Sequence, residues 1–423
     1  MPVAASPPLA GSDEGQASAP GTESRYHALD ALRAFALLLG IFFHAAESFC
    51  PGRLSWAIVD RQAHELFAFF QHLCHSFRLE LFFVMAGFFA HLVRERRGVG
   101  GFVWNRVQRI LVPLVAGWFL IYPLLAGEWI SGAIQSGQPG RLGIPPEGAH
   151  LPPWQIVLGM FMRGIAFGDN FSLTHLWFLY QLLVIYALVL AVRGIAGWLP
   201  GRSGKIHRWI GANFPRTLRG PGSVLFYAAL TTPILWTMDG WGVDTPDRSL
   251  VPSLPVTALY TLCFLVGWLP YRQPGWMRQW PAGGAGYVLG GLALTLATAN
   301  YGVWSRWLGL GALPTPWSKL VYSVLYALTM WCFIVGIIGL FIRHCHGASR
   351  RWRYVADSSY WLYIAHLPVV VALQLWVAKW DAHWAWKYLL IVSVAFTVLF
   401  LSYHYLVRST FIGAQLNGRR YPR

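Results

Sequence analysis

Charge is what this 423-residue chain has least of: Asp, Glu, Lys and Arg together make up 12 % of it, against roughly 25 % in soluble globular chains. Hydrophobic residues make up 56 %. So few charges cannot cover a water-facing surface of this size, which excludes a soluble protein of two or three domains. One polytopic membrane domain remains, and 23 Trp and 18 Tyr suit a chain that crosses the headgroup interface many times. Cysteine is also scarce. The five Cys show no CxxC or metal-ligand spacing, so neither a disulfide framework nor a metal site is expected. P-loop, GxSxG and HExxH motifs are missing, which removes sequence support for P-loop ATP use, an α/β-hydrolase elbow and a zincin centre. No internal repeat marks an inverted-repeat transporter.

Acid is scarcer than base, 17 Asp and Glu against 33 Lys and Arg, giving a net charge of +16. Nucleic-acid binding is one meaning of such an excess, and the position of the cations decides against it. Ten stretches have the roughly 20 apolar residues that a span needs: 31–49, 73–92, 107–126, 173–192, 223–238, 254–270, 284–304, 318–341, 359–378 and 388–407. The fifth is short, and 154–167 is an eleventh apolar stretch. Most cations lie in the even-numbered connections: Arg94, Arg96, Arg97, Arg106 and Arg109; Arg193, Arg202, Lys205, Arg208, Arg216 and Arg219; Arg272 and Arg278; Arg343, Arg350, Arg351 and Arg353. Arg408, Arg419, Arg420 and Arg423 follow the last span. The positive-inside rule then places both termini in the cytoplasm. The expectation is an all-α polytopic membrane protein of about ten transmembrane helices, with a disordered cytoplasmic tail over 1–24, a membrane domain over 25–408 and a basic cytoplasmic tail over 409–423. Residues 1–24 lack Lys, Arg and a continuous apolar core, unlike a cleaved signal peptide.

Ionisable side chains inside spans are costly, so the few present are functional candidates. Arg33 and His44 lie eleven residues apart on the first span, almost three helical turns, which puts them on nearly the same side about 16 Å apart. Arg33 can alternatively be a surface anchor paired with Asp30, and His44 a packing histidine. Glu47 shares the His44 face at i+3. In the second span Arg78 and Glu80 point to opposite sides, so each needs a partner on another helix. His44 is the expected partner of Glu80, which would orient the imidazole and raise its basicity. His64, His72 and His75 share one helical face, suited to a polar entrance or a wetted amphipathic turn. His175 and Trp177 open the fourth span, His366 sits in the ninth, and Arg106 and Arg109 mark the entry of the third.

These residues stand in motifs. RYHALDALRAFALLLGIFFHAAE, HSFRLELFFVMAGFF, FVWNRVQRILVP, HLWFL and SYWLYIAHLP occur in the order and on the spans of the acyltransferase-3 family of membrane O-acyltransferases, which the chain resembles over about residues 25–408. Ala86 stands where Ser is common. The FR dipeptide, the long loop before HLWFL and the AHLP form resemble members that succinylate periplasmic glucans. The resemblance implies transfer of a succinyl or acetyl group from cytoplasmic acyl-CoA to a hydroxyl of an extracytoplasmic glycan, in the inner membrane of a bacterium. Succinyl-CoA or acetyl-CoA is then a co-substrate, and membrane lipid and the glycan are the other partners. His44 would be the general base or carry the acyl group, with Glu80 or Glu47 fixing its tautomer. Arg33, Arg106 and Arg109 would attract the coenzyme phosphates, and Arg78, His175, Trp177 and His366 would contact the substrate. The rival reading is a transporter or flippase for a glycan or lipid-linked sugar.

Overall fold

A computed structural model of the chain describes residues 23–53, 55–168, 170–197, 220, 222–269, 280, 283–308, 314–345, 347, 349–418 and 421. Residues 1–22 of the expected 1–24 tail, and Arg202, Lys205, Arg208, Arg216, Arg219, Arg272, Arg278, Arg419, Arg420 and Arg423, lie outside them, while Glu23 and Ser24 begin the first helix. All regular structure among the described residues is helical, the form in which an apolar chain satisfies its own backbone in lipid. In chain order the helices are α1 (Glu23–Ala46), α2 (Glu65–His75), α3 (Arg78–Arg106), α4 (Val112–Gln135), α5 (Pro153–Met162), α6 (Trp177–Gly197) and α7 (Gly222–Trp236). There follow α8 (Leu254–Trp268), α9 (Gly284–Ala299), α10 (Tyr301–Trp307), α11 (Thr315–His344), α12 (Arg350–Val377), α13 (Trp384–Ser402) and α14 (Phe411–Asn417). Proline opens α4, α5, α8 and α11, where its missing N–H would be unpaired in any case. Side chains cap α2, α12 and α13: His64, Ser349 and His383 each accept a first-turn N–H.

Every expected span contains a helix, yet among the described residues six stretches are long and apolar enough by themselves to cross a bilayer. One of these, Glu65–Gln135, runs for 71 residues, several bilayer thicknesses at about 1.5 Å per residue. It breaks at Phe77 and at Gly98, whose φ of 66° turns the chain, so the expected basic connection with Arg94, Arg96 and Arg97 is a turn within a helical run. A π-helical segment, Val107–Leu111, joins α3 to α4. Helices α7, α8 and α9 have 15 or 16 residues, about 23 Å of rise and short of the roughly 30 Å hydrocarbon layer. The eleventh apolar stretch forms α5, ten residues packed on α4. Within the expected tail over 409–423, α14 packs against Val107–Leu111 and α12.

Helix α1 is central. It packs on α12, α11, α3, α13 and α2. One helix pair meets backbone to backbone through glycine: a Cβ at Gly87 or Gly267 would fall 1.9 or 1.7 Å from a carbonyl oxygen across the α3–α8 crossing. Small residues permit such crossings in membrane bundles. The bundle has two unlike ends. At one, Arg33, Arg97, Arg106 and Arg109 lie within electrostatic reach of each other. At the other, the segments between helices tie together: Asp60 N–H donates to Ser48 O, Leu173 N–H to Asp247 O, Trp236 Nε1 to Pro316 O and Trp384 N–H to Gln62 Oε1.

Candidate active site

The last turn of α1 holds His44, and the 3-10 turn Glu47–Phe49 follows it. That turn brings the Glu47 carboxylate 3.7 Å from His44 Nδ1, and Arg53 closes on its second oxygen. Glu47 is 2 % exposed. Trp56 stacks on the imidazole at 5.8 Å between ring centroids and an interplanar angle of 11°. Helix ends leave carbonyls without intrahelical partners, and here Gln374 of α12 supplies one. Its amide donates to His44 O and Ala45 O, while its oxygen accepts from Trp56 Nε1 at 2.8 Å. Gln374 therefore fixes both the helix end and the ring that covers His44.

Two more imidazoles converge on the first. His366 lies 5.2 Å from His44 and 5.0 Å from His175, centroid to centroid. The SYWLYIAHLP segment explains the arrangement. Pro368 has no N–H, so it leaves the carbonyl of Ile364 unpaired within α12. His175 Nε2 donates to that carbonyl at 3.0 Å. Tyr363 O accepts from His366 Nδ1 at 2.6 Å, which leaves His366 Nε2 as an acceptor with no hydrogen-bond partner among the described residues. His175 follows Thr174, a β-branched residue at φ 52°. Such strain costs about 1–3 kcal/mol and persists where surroundings over-determine it. Here Ser172 Oγ accepts from Thr174 N–H and donates to Asp247.

Arg78, at the start of α3, completes the chamber. Its guanidinium lies over the Phe43 ring at 4.1 Å, and its Nη1 has no hydrogen-bond partner among the described residues. A Cβ at Gly40 would sit 3.5 Å from that nitrogen and 4.0 Å from His366 Nε2. Glycine at position 40 thus keeps a donor and an acceptor facing one small gap beside His44.

The expected partnership of Glu80 with His44 is not found. Glu80 is 1 % exposed, points to the other side of α3, and neither carboxylate oxygen has a hydrogen-bond partner among the described residues. It lies within electrostatic reach of Tyr260, Cys263 and Tyr326. Glu47 takes the place beside the imidazole, because an i+3 neighbour follows α1 wherever it goes, whereas Glu80 depends on how α3 is rotated. Trp177 also stands apart, facing Tyr260 at 6.0 Å. At the cationic end Arg33 contacts Asp30 at 3.6 Å and lies over Phe89. Arg106 lies over Phe102 and Tyr186, with its Nε unpaired among the described residues. Arg109 donates through Nε and Nη2 to Leu416 O, and so holds α14. Sequence reasoning did not single out Gly40, Trp56 or Gln374 for the site; a buried amide within an apolar span was the one signal present. Among the described residues no three His, Cys, Asp or Glu side chains are placed to hold a metal ion.

A helical membrane bundle with a half-buried imidazole beside a buried carboxylate is equipped for general-base chemistry. Residues 26–404 match the family described as an acyltransferase domain, acyltransferase 3, and the chain belongs to that family of membrane acyltransferases. Among curated relatives, glucans biosynthesis protein C of Salmonella gallinarum is 23 % identical over 364 residues, 82 % of this chain and 83 % of that protein. Glucans biosynthesis protein C of Escherichia coli K12 is 26 % identical over 171 residues, 40 % of this chain and 39 % of that protein; the match thus spans well under half the length of this relative. No solved structure matches the chain.

Proposed function

We propose that the chain transfers a succinyl or acetyl group from cytoplasmic acyl-CoA to a hydroxyl of an extracytoplasmic glycan, a periplasmic glucan in view of its relatives' name, within a bacterial inner membrane. Ten passes with both termini in the cytoplasm belong to this reading. The observation that carries it is α1 itself: Arg33 lies at the cationic end, and His44 lies about 16 Å along the same face, beside Glu47. A coenzyme whose phosphates meet Arg33 and Arg106 would extend its thioester along α1 to the imidazole.

His44 Nε2 takes the proton of the sugar hydroxyl as that oxygen attacks the thioester carbonyl carbon. The carbon–sulfur bond breaks, the coenzyme leaves as thiolate and takes up the proton from His44, and an ester remains on the glycan. Glu47, 3.7 Å from Nδ1, balances the charge of the transient imidazolium. The unpaired Nη1 of Arg78 favours a carboxylate-bearing acyl group such as succinyl, since a buried cation gains most from an ionic partner. His175 and His366 would border the acyl group from α12 and the segment before α6. Family membership weighs against the transporter reading, which does not require the imidazole.

General-base catalysis typically contributes about 10²–10⁴ in rate. His44→Ala should therefore reduce acyl transfer by about 10² or more in purified protein that still inserts, as measured by acylated glycan mass. Transfer at near wild-type rate in that variant would remove His44 from the mechanism.

A further inference from the structure

We propose that the cleft between α9, α10, α11 and the Trp241 loop binds the acceptor, and that it takes neutral hexose units of a glycan; this rests on the acyltransferase reading above. The cleft measures about 460 Å³ and is lined by Trp241, Tyr301, Tyr322, Thr298, Ser305 and Arg306, among others. Small-ligand sites commonly occupy about 300–1,000 Å³ and combine aromatic walls with a few polar groups. A pyranose suits such walls because it has an apolar face of C–H groups and a rim of hydroxyls.

Each part of the cleft fits that chemistry. Trp241 is 43 % exposed, yet Tyr301 and Tyr322 hold its indole at centroid distances of 5.8 and 5.3 Å. The Tyr301 hydroxyl is fixed on Ser318, so the aromatic support is rigid. Ser305 is 3 % exposed, and its hydroxyl makes no hydrogen bond with any described residue, which leaves it for a ligand. Arg306 lines the cleft and forms no ion pair among the described residues, so its guanidinium can donate to sugar hydroxyl oxygens.

A line of side chains joins the cleft to the imidazole chamber. Thr298 Oγ1 is 2.8 Å from His72 Nε2. The His72 ring faces Tyr326 at 5.9 Å, and the Tyr326 hydroxyl lies 3.4 Å from His75 Nδ1. His75 then neighbours Phe43, which contacts both His44 and Arg78. The histidines of α2 thus form a chain of contacts between the cleft and the surroundings of His44.

The test is isothermal titration of the full chain in lipid nanodiscs with neutral gluco-oligosaccharides of increasing length, without acyl donor. Saturable binding is expected, weakened at least about tenfold by Trp241→Ala and restored to within about threefold by Trp241→Phe, which keeps an aromatic face. In turnover, Trp241→Ala should raise KM for the glycan with little effect on KM for acyl-CoA. Absence of oligosaccharide binding by the wild-type chain, or wild-type Kd and KM in a folded Trp241→Ala, would overturn the subsite. Binding through Trp241 without ester formation would uphold the subsite and refute the transfer reading. Ester formation indifferent to Trp241→Ala would do the reverse.

Discussion

His44 draws its surroundings from four parts of the chain: Glu47 and Arg53 just beyond α1, Trp56 in the following segment, Gln374 and His366 on α12, and Arg78 on α3. Gly40 controls the space between them. Alanine there meets only ordinary contacts, 3.5 and 4.0 Å, and glycine inside a helix costs roughly 1 kcal/mol relative to alanine. Gly40→Ala should therefore retain transfer and raise the melting temperature slightly, whereas Gly40→Leu should fill the gap and reduce kcat at least about tenfold while the chain still folds. Equal activity in the two variants would show that nothing enters the gap. At this scale the sequence was legible where the relation is local. Arg33, His44 and Glu47 share a helix face, and the structure keeps them there. His175 and His366 were legible only as intramembrane imidazoles; the unpaired carbonyl that Pro368 leaves at Ile364 is what brings them together.

The segment between α1 and α2 carries Arg53 and Trp56 and, among its described residues, has no regular secondary structure beyond the turn at Glu47–Phe49. One ion pair anchors it. Lys387, in the first turn of α13, is wholly buried and donates to both oxygens of Asp60 at 3.1 and 3.0 Å. Removing one partner of a buried pair strands the other charge and typically costs about 3–5 kcal/mol. Lys387→Met should lower the thermal midpoint markedly and reduce transfer by freeing Trp56, while Asp60→Leu combined with Lys387→Met should recover most of the stability. A single variant as stable as wild type would show that Gln62, which accepts from Trp384 N–H, suffices as anchor. Neither the pair nor the Gly87 and Gly267 crossing could be read from hydropathy, since both depend on which helices become neighbours. Helix existence was legible at every expected span because hydropathy registers apolar runs directly. Of the breaks, the one at Gly98 falls in the expected basic connection, whereas Phe77 interrupts the helix without interrupting the apolar pattern.

The molecule as a whole carries +16, with its clustered cations at the end opposite the linked segments and the Trp241 cleft. Charge on that scale steers anionic ligands and is screened within about 8–10 Å at physiological salt. Raising ionic strength should therefore increase the apparent KM for acyl-CoA while leaving that for a neutral glycan unchanged. The direction of transfer has its own check. A membrane-impermeant maleimide added to intact cells should modify Val251→Cys but not Arg96→Cys, and the reverse pattern would invert the proposed topology.

The sequence by itself determined an all-helical membrane bundle, the family, and the shared face of Arg33 and His44, because apolar runs and helical spacing are local properties of the chain. Tertiary structure alone decided that Glu47 rather than Glu80 accompanies the imidazole, that Gln374 holds Trp56 over it, and that the histidines of α2 make contacts running from an aromatic cleft to the ring of Phe43 beside it. Those outcomes depend on the rotation and neighbours of each helix, and one side of an apolar helix looks much like another until the partner that covers it is known.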